Sequence, residues 1–125
     1  MFNLFNSLMG SAPAVNAAEA VQAVAEKRAL VIDVREEAEV QASGRAKGAL
    51  NLPLSRLNLT ADPNSGHFDK RLAAARKDGL PVYLYCASGA RSGRAAGILR
   101  NHGFAEVHNL GTLNAWARGG GAVQR

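Results

Sequence analysis

Val82-Tyr83-Leu84-Tyr85-Cys86-Ala87-Ser88-Gly89-Ala90-Arg91-Ser92 is the stretch on which the fold turns. Its first five residues alternate aliphatic and aromatic side chains and end in a cysteine, the pattern of a buried strand. The next six are small except for one arginine, and from about Ser92 to His102 the chain reads as a helix. A buried strand running through a small-residue turn into a helix is half of a βαβ unit. Its ligand-binding position lies just beyond the carboxyl end of the strand.

The flanking segments repeat this alternation. Asn16 followed by Glu19 predicts a capped helix start, with Ala17 to Arg28 rich in helix formers. Ala29-Leu30-Val31-Ile32, ending in Asp33, predicts a second buried strand. Glu36 to Ala42 predicts a short helix closed by Ser43-Gly44, and Ala49 to Leu52 a strand stopped by Pro53. Asp62-Pro63-Asn64-Ser65-Gly66 is a loop by its turn chemistry. A helix from about His67 to Lys77, a strand over Glu106 to Leu110 and a short helix from Leu113 to Arg118 complete the pattern. The expected fold is α/β, with a small parallel sheet of about five strands and helices on both faces.

Composition is compatible with this and excludes other classes. The chain has 125 residues, 47% hydrophobic and 20% charged, which suits one globular domain rather than a disordered or fibrous protein. The expected organisation is an N-terminal arm over residues 1–15, carrying Phe2, Leu4, Phe5 and Leu8, followed by one domain over 16–125. No stretch has the length of a membrane helix, and the apolar start lacks the charged region of a signal peptide although Ala12-Pro13-Ala14 resembles a cleavage site. A cytoplasmic location, with no membrane partner, is expected. Net charge is +5, which suits anionic ligands. The arginines are not interleaved with aromatics, so nucleic acid is not an expected partner. The apolar arm suggests a protein partner, a homodimer included.

One cysteine excludes an intrachain disulfide and a CxxC metal clip, and His67, His102 and His108 have no metal spacing, so neither metal nor cofactor is expected. A lone thiol is ordinarily a small buried hydrophobe. Cys86 departs from that default because it ends a strand at a glycine-containing turn. Backbone N–H groups of Ala87, Ser88, Gly89, Ala90, Arg91 and Ser92 can point inward there as an anion nest, and the following helix presents its positive end. Arg91 is expected to add a full charge and to grip the oxygens of an anionic substrate. Such surroundings lower a thiol pKa and make it a nucleophile. Asp33 and Arg35 are expected to brace the strand end as an ion pair, Arg94 is a candidate second anion contact, and Trp116 is expected to be a packing anchor.

Four segments together resemble the rhodanese family. Leu30-Val31-Ile32-Asp33-Val34-Arg35 is similar to its Asp-Val-Arg strand end, and Gly48-Ala49-Leu50-Asn51-Leu52-Pro53 to the segment that follows. Cys86 to Ser92 resembles the family's catalytic loop, and Asn109-Leu110-Gly111 through Trp116 its closing element. The resemblance implies the rhodanese fold and a thiosulfate-type sulfurtransferase. In it a Cys86 persulfide carries sulfur from a small anionic donor such as thiosulfate to cyanide or a thiol, with the loop Ala87 to Ser92 as substrate-binding residues. Two departures stand out: Arg45-Ala46-Lys47 replaces the usual His-Ile-Pro, placing two cations expected near the site edge, and Thr112 stands where a second glycine is common. Rhodanese-like phosphatases have five residues between cysteine and arginine; here there are four, which argues against phosphatase or arsenate reductase chemistry. A non-catalytic module binding a protein partner is the alternative of a different class, and the intact cysteine and loop argue against it.

Overall fold

The computed structural model describes residues 15–125. Along them run α1 (Ala17–Ala25), β1 (Leu30–Asp33), α2 (Glu37–Ser43), β2 (Arg45–Ala46), β3 (Leu50–Asn51), α3 (Leu54–Thr60), α4 (Lys70–Asp78), β4 (Val82–Cys86), α5 (Ala90–Asn101), β5 (Val107–Thr112), α6 (Leu113–Arg118) and β6 (Val123–Gln124). The expected apolar arm lies almost wholly outside the described residues.

The α/β alternation is present, and the main sheet is parallel throughout in the order β3-β1-β4-β5. It has four strands rather than about five. The other two, β2 and β6, pair antiparallel as a separate ribbon, Arg45 opposite Gln124 and Ala46 opposite Val123. Each is two residues long, too short to show any alternation in sequence. Helix α3 likewise has no clear sequence signal, because Ser55, Asn58 and Thr60 are poor helix formers and its one buried anchor is Leu57.

Helix ends follow local chemistry. Asn16 caps α1 by accepting the Glu19 N–H at 3.1 Å. That helix closes before Arg28, because the Arg28 N–H returns to the Ala23 carbonyl with Lys27 at φ 61°. Helix α4 begins at Lys70 and not at His67, because the Asp69 carboxylate caps it, accepting from the N–H groups of Arg71 and Leu72.

Strand β4 is buried at every position, and its period of two divides it between two cores. Val82, Leu84 and Cys86 join Ile32, Leu57, Leu72 and Leu99 on one face of the sheet. Tyr83 and Tyr85 join Val31, Ala20, Ala23 and Trp116 on the other. Trp116 is buried there as the expected anchor, its Nε1–H donating to the Ala122 carbonyl at 2.8 Å. Being central, β4 is hydrogen-bonded on both edges. Cys86 therefore emerges at the middle of the sheet's carboxyl edge, on a strand held from both sides.

Candidate active site

The turn after β4 is shaped by Gly89, which takes φ 95°, a left-handed conformation that L side chains adopt only under strain, and so starts α5 at Ala90. This is two residues earlier than the sequence predicts. Ser92 is thereby drawn into the first turn of the helix and buried completely. Its N–H and its Oγ each lie 3.4 Å from Cys86 Sγ, and the Gly89 N–H donates to the same sulfur at 3.0 Å.

Cys86 is 1% exposed, and burial alone pushes a thiol pKa up. Hydrogen bonds from the Ser92 hydroxyl and from the amides of Ser92, Ser88 and Gly89 act against it. The balance brings the thiol down from 9.0 to about 7. The expected depression of this group is present, but its sources are narrower than a full ring of amides. The Ala90 N–H is 3.4 Å from Ser88 Oγ, and Ala87 is exposed.

Arg91 does not aim its fork at the sulfur. Its Nη1 and Nη2 donate to the two carboxylate oxygens of Glu39 at 2.7 and 2.8 Å, tying α5 to α2. The guanidinium holds the Glu39 carboxyl down at about 2. Sequence reasoning misses Glu39 because it lies 52 residues from Arg91. Its local signal is the acidic start of α2, where it also accepts the Glu36 N–H at 2.9 Å.

The expected ion pair at the end of β1 is buried. Asp33 is inaccessible, Arg35 is 5% exposed, and their closest approach is 2.7 Å. Arg35 also donates to Ser43 Oγ at 2.6 Å and to the Gly44 carbonyl at 2.7 Å. The Tyr85 hydroxyl donates to Asp33 at 2.7 Å and accepts the Ala46 N–H at 2.9 Å. Burial, more than any neighbour, pushes the Tyr85 phenol well above its ordinary range and keeps it protonated as a donor.

Above Cys86 opens a cavity of about 790 Å³, lined among others by Cys86, Ala87, Arg35, Thr112, Asn114 and Arg118. Two arginines and no carboxylate line it. With the Arg35 fork engaged, Arg118 on α6 is the lining cation with no side-chain hydrogen-bond partner among the described residues. Thr112 caps α6 by accepting the Ala115 N–H at 3.0 Å. Arg45 and Lys47 do not line this cavity. Arg45 lies at a separate depression with Glu37 and Arg125, and the Lys47 N–H joins the β2–β6 ribbon through Ala122. Arg94 is exposed and outside the cavity lining. No cluster of metal-ligating side chains occurs among the described residues, and no helix there is long and apolar enough to cross a membrane.

Residues 16–118 match the family model described as Rhodanese-like domain. The chain is 42% identical over 91 residues to the uncharacterized protein YqhL of Bacillus subtilis, a match covering 72% of this chain and 62% of that protein. It is 37% identical over 92 residues to a sulfurtransferase of Allochromatium vinosum, covering 73% of this chain and 74% of that one. Among solved structures, the human single-domain sulfurtransferase superposes with a TM-score of 0.65 at 29% identity, over 86% of this chain and 97% of that chain.

Proposed function

We propose that this chain, which belongs to the rhodanese-like domain family, moves sulfane sulfur from an anionic donor to cyanide or a thiol through a persulfide on Cys86. The observation that carries this reading is the placement of the Cys86 sulfur. It is the one thiol of the chain, brought down from 9.0 to about 7 by Ser92 and the loop amides, at the floor of an acid-free cavity. The residues 16–125 act as the catalytic domain. A lone reactive thiol of this kind suits the reducing cytoplasm.

The chemistry follows in two steps. The Cys86 thiolate attacks the outer sulfur of thiosulfate, forming the Sγ–S bond while the S–S bond to the sulfonate breaks and sulfite leaves with the electron pair. An acceptor thiolate, or cyanide, then attacks the terminal sulfur and displaces Cys86 as the thiolate. The Gly89 and Ser92 N–H groups stabilise the charge on Sγ before the first step and after the second. No general base is required, since the thiol can lose its proton to solvent at neutral pH. Incubation with thiosulfate should raise the protein mass by one sulfur atom, localised to Cys86, and a thiol should remove it. Failure to take up sulfur from thiosulfate or any other sulfane donor would sink the reading.

The short spacing from Cys86 to Arg91 favours one sulfur over a tetrahedral phosphoryl group. Inserting a glycine between Gly89 and Ala90 should lower thiosulfate turnover by about tenfold or more, because it moves the Ser92 donors off the sulfur. Faster hydrolysis of an aryl phosphate than sulfur transfer by the wild type would contradict this use of the spacing.

Donor binding is assigned to Arg118, the unengaged cation of the cavity, rather than to Arg91, whose fork is filled by Glu39. Arg118→Glu should raise KM for thiosulfate by roughly one to two decades, the worth of a charge-assisted contact. An unchanged KM in steady-state kinetics would return the role to the loop.

A further inference from the structure

Strand β5 carries an irregularity opposite the centre of β4. Leu84 pairs with Asn109 and Tyr85 pairs with Gly111, so Leu110 is an extra residue. Gly111 takes φ 98°, and its N–H donates to Asn109 Oδ1 at 3.0 Å. Bulges of this kind re-aim side chains. Here the Asn109 amide reaches across to the loop after β4, where its Nδ2 donates to the Gly89 carbonyl at 3.0 Å. Its Oδ1 lies 2.7 Å from Ser92 Oγ.

The Ser92 hydroxyl therefore has two acceptors in reach and one proton to give: Asn109 Oδ1 at 2.7 Å and Cys86 Sγ at 3.4 Å. We propose that Asn109 is a positioning residue that governs how readily Cys86 ionises, by competing with the sulfur for the single proton of the Ser92 hydroxyl. While Cys86 is a thiol, Ser92 donates to Asn109 along the shorter contact. When the thiol proton leaves to solvent, the hydroxyl rotates and donates to the thiolate, a charged and therefore stronger acceptor. No proton leaves Ser92, and Asn109 Oδ1 keeps the Gly111 N–H, so no buried acceptor is orphaned. The competition taxes the thiolate by one hydrogen bond, and removing the competitor should lower the ionisation midpoint.

The charged groups around the sulfur come from other elements. They are Arg35 with Asp33 at the end of β1, Glu39 with Arg91 across α2 and α5, and Arg118 on α6. Ser92 Oγ hydrogen-bonds to none of them among the described residues, and all are retained in the variants below.

The proposal rests on Cys86 being the reactive thiol, and it is tested independently of sulfur transfer. The rate of alkylation by iodoacetamide, followed against pH, reads the ionisation of the one cysteine directly. Asn109→Ala should lower the midpoint by about half to one pH unit, the worth of one neutral hydrogen bond, and speed alkylation at pH 6 about three- to fivefold. Asn109→Asp should move it upward, since a carboxylate holds the Ser92 proton more strongly and adds a negative charge. Both variants lose the bond to the Gly89 carbonyl, so a purely structural role would shift both in one direction. In a Ser92→Ala background the downward shift of Asn109→Ala should vanish. An unmoved or raised midpoint in Asn109→Ala, or an equal drop without the Ser92 hydroxyl, overturns the proposal. Asn109→Leu, which keeps side-chain volume, repeats the test if the alanine variant melts too early. Wild-type protein that ionises as expected but takes no sulfur from thiosulfate would instead count against the sulfurtransferase reading alone.

Discussion

Cys86→Ser is expected to abolish sulfur transfer, by at least about three decades, while leaving the fold in place. The serine oxygen is a little smaller than sulfur and keeps the Gly89 N–H, 3.0 Å from the sulfur, as a donor within reach, so the turn into α5 is expected to hold. What it lacks is ionisation. The thiol sits at about 7, whereas an alcohol stays protonated throughout the working range. Since the chain holds one cysteine, no second thiol can supply residual turnover. The check is transfer from thiosulfate to cyanide beside a thermal melt. Transfer within tenfold of the wild type would remove Cys86 from the mechanism.

The same ionisation gives the wild type a pH signature. Sulfur uptake should rise through about pH 7 and level off above it, as the thiolate fraction saturates. The sign carries over to stability. Because the folded thiol is lowered from 9.0 to about 7, the thiolate's contribution is complete above pH 9 and is lost as pH falls through 7. Cys86→Ser should erase that part of the stability–pH curve.

Asp33→Ala is the other change with a large expected effect, and it acts on stability rather than on the nucleophile. The Asp33 carboxylate accepts from the Arg35 backbone N–H, from Arg35 Nε and Nη2 and from the Tyr85 hydroxyl, all within 3.2 Å. Removing it leaves a buried guanidinium with only Ser43 Oγ and the Gly44 carbonyl, and a buried phenol whose proton has no acceptor. Breaking a buried pair in this way costs about 3–5 kcal/mol. For a domain of this size that corresponds to a fall in Tm of roughly 10–20 °C. The network links the ends of β1 and β4 to α2 and β2, so loosening it should also blur the cavity wall formed by Arg35 and Ser43. Removing both charges, as Asp33→Leu with Arg35→Met, should recover part of the loss, because no uncompensated ion then remains. A single variant within about 1 kcal/mol of the wild type would show the network to be dispensable.

Much of this architecture is carried by local pattern. The alternation in β4 by itself assigns Val82, Leu84 and Cys86 to one face and Tyr83 and Tyr85 to the other, because side chains of a strand alternate by geometry alone. The apolar run Leu30 to Ile32 likewise dictates burial on both faces, hence a central parallel strand. The glycine three residues after Cys86 marks the turn, so the position of the sulfur at the sheet's carboxyl edge is legible from residue types in order. Tertiary structure decides which partner each polar side chain meets. Glu39 receives the Arg91 fork from 52 residues away, Tyr85 reaches Asp33 across the same distance, and Ser92 meets Asn109 where β5 lies beside the loop after β4. Arg45 is set beside Gln124 by its pairing with β6 and lies at a depression shared with Glu37 and Arg125. Periodicity specifies the face on which a side chain emerges, because that depends on the backbone of one strand. The partner depends on the register between strands and the heading of the loops, which is settled only when all the elements pack at once.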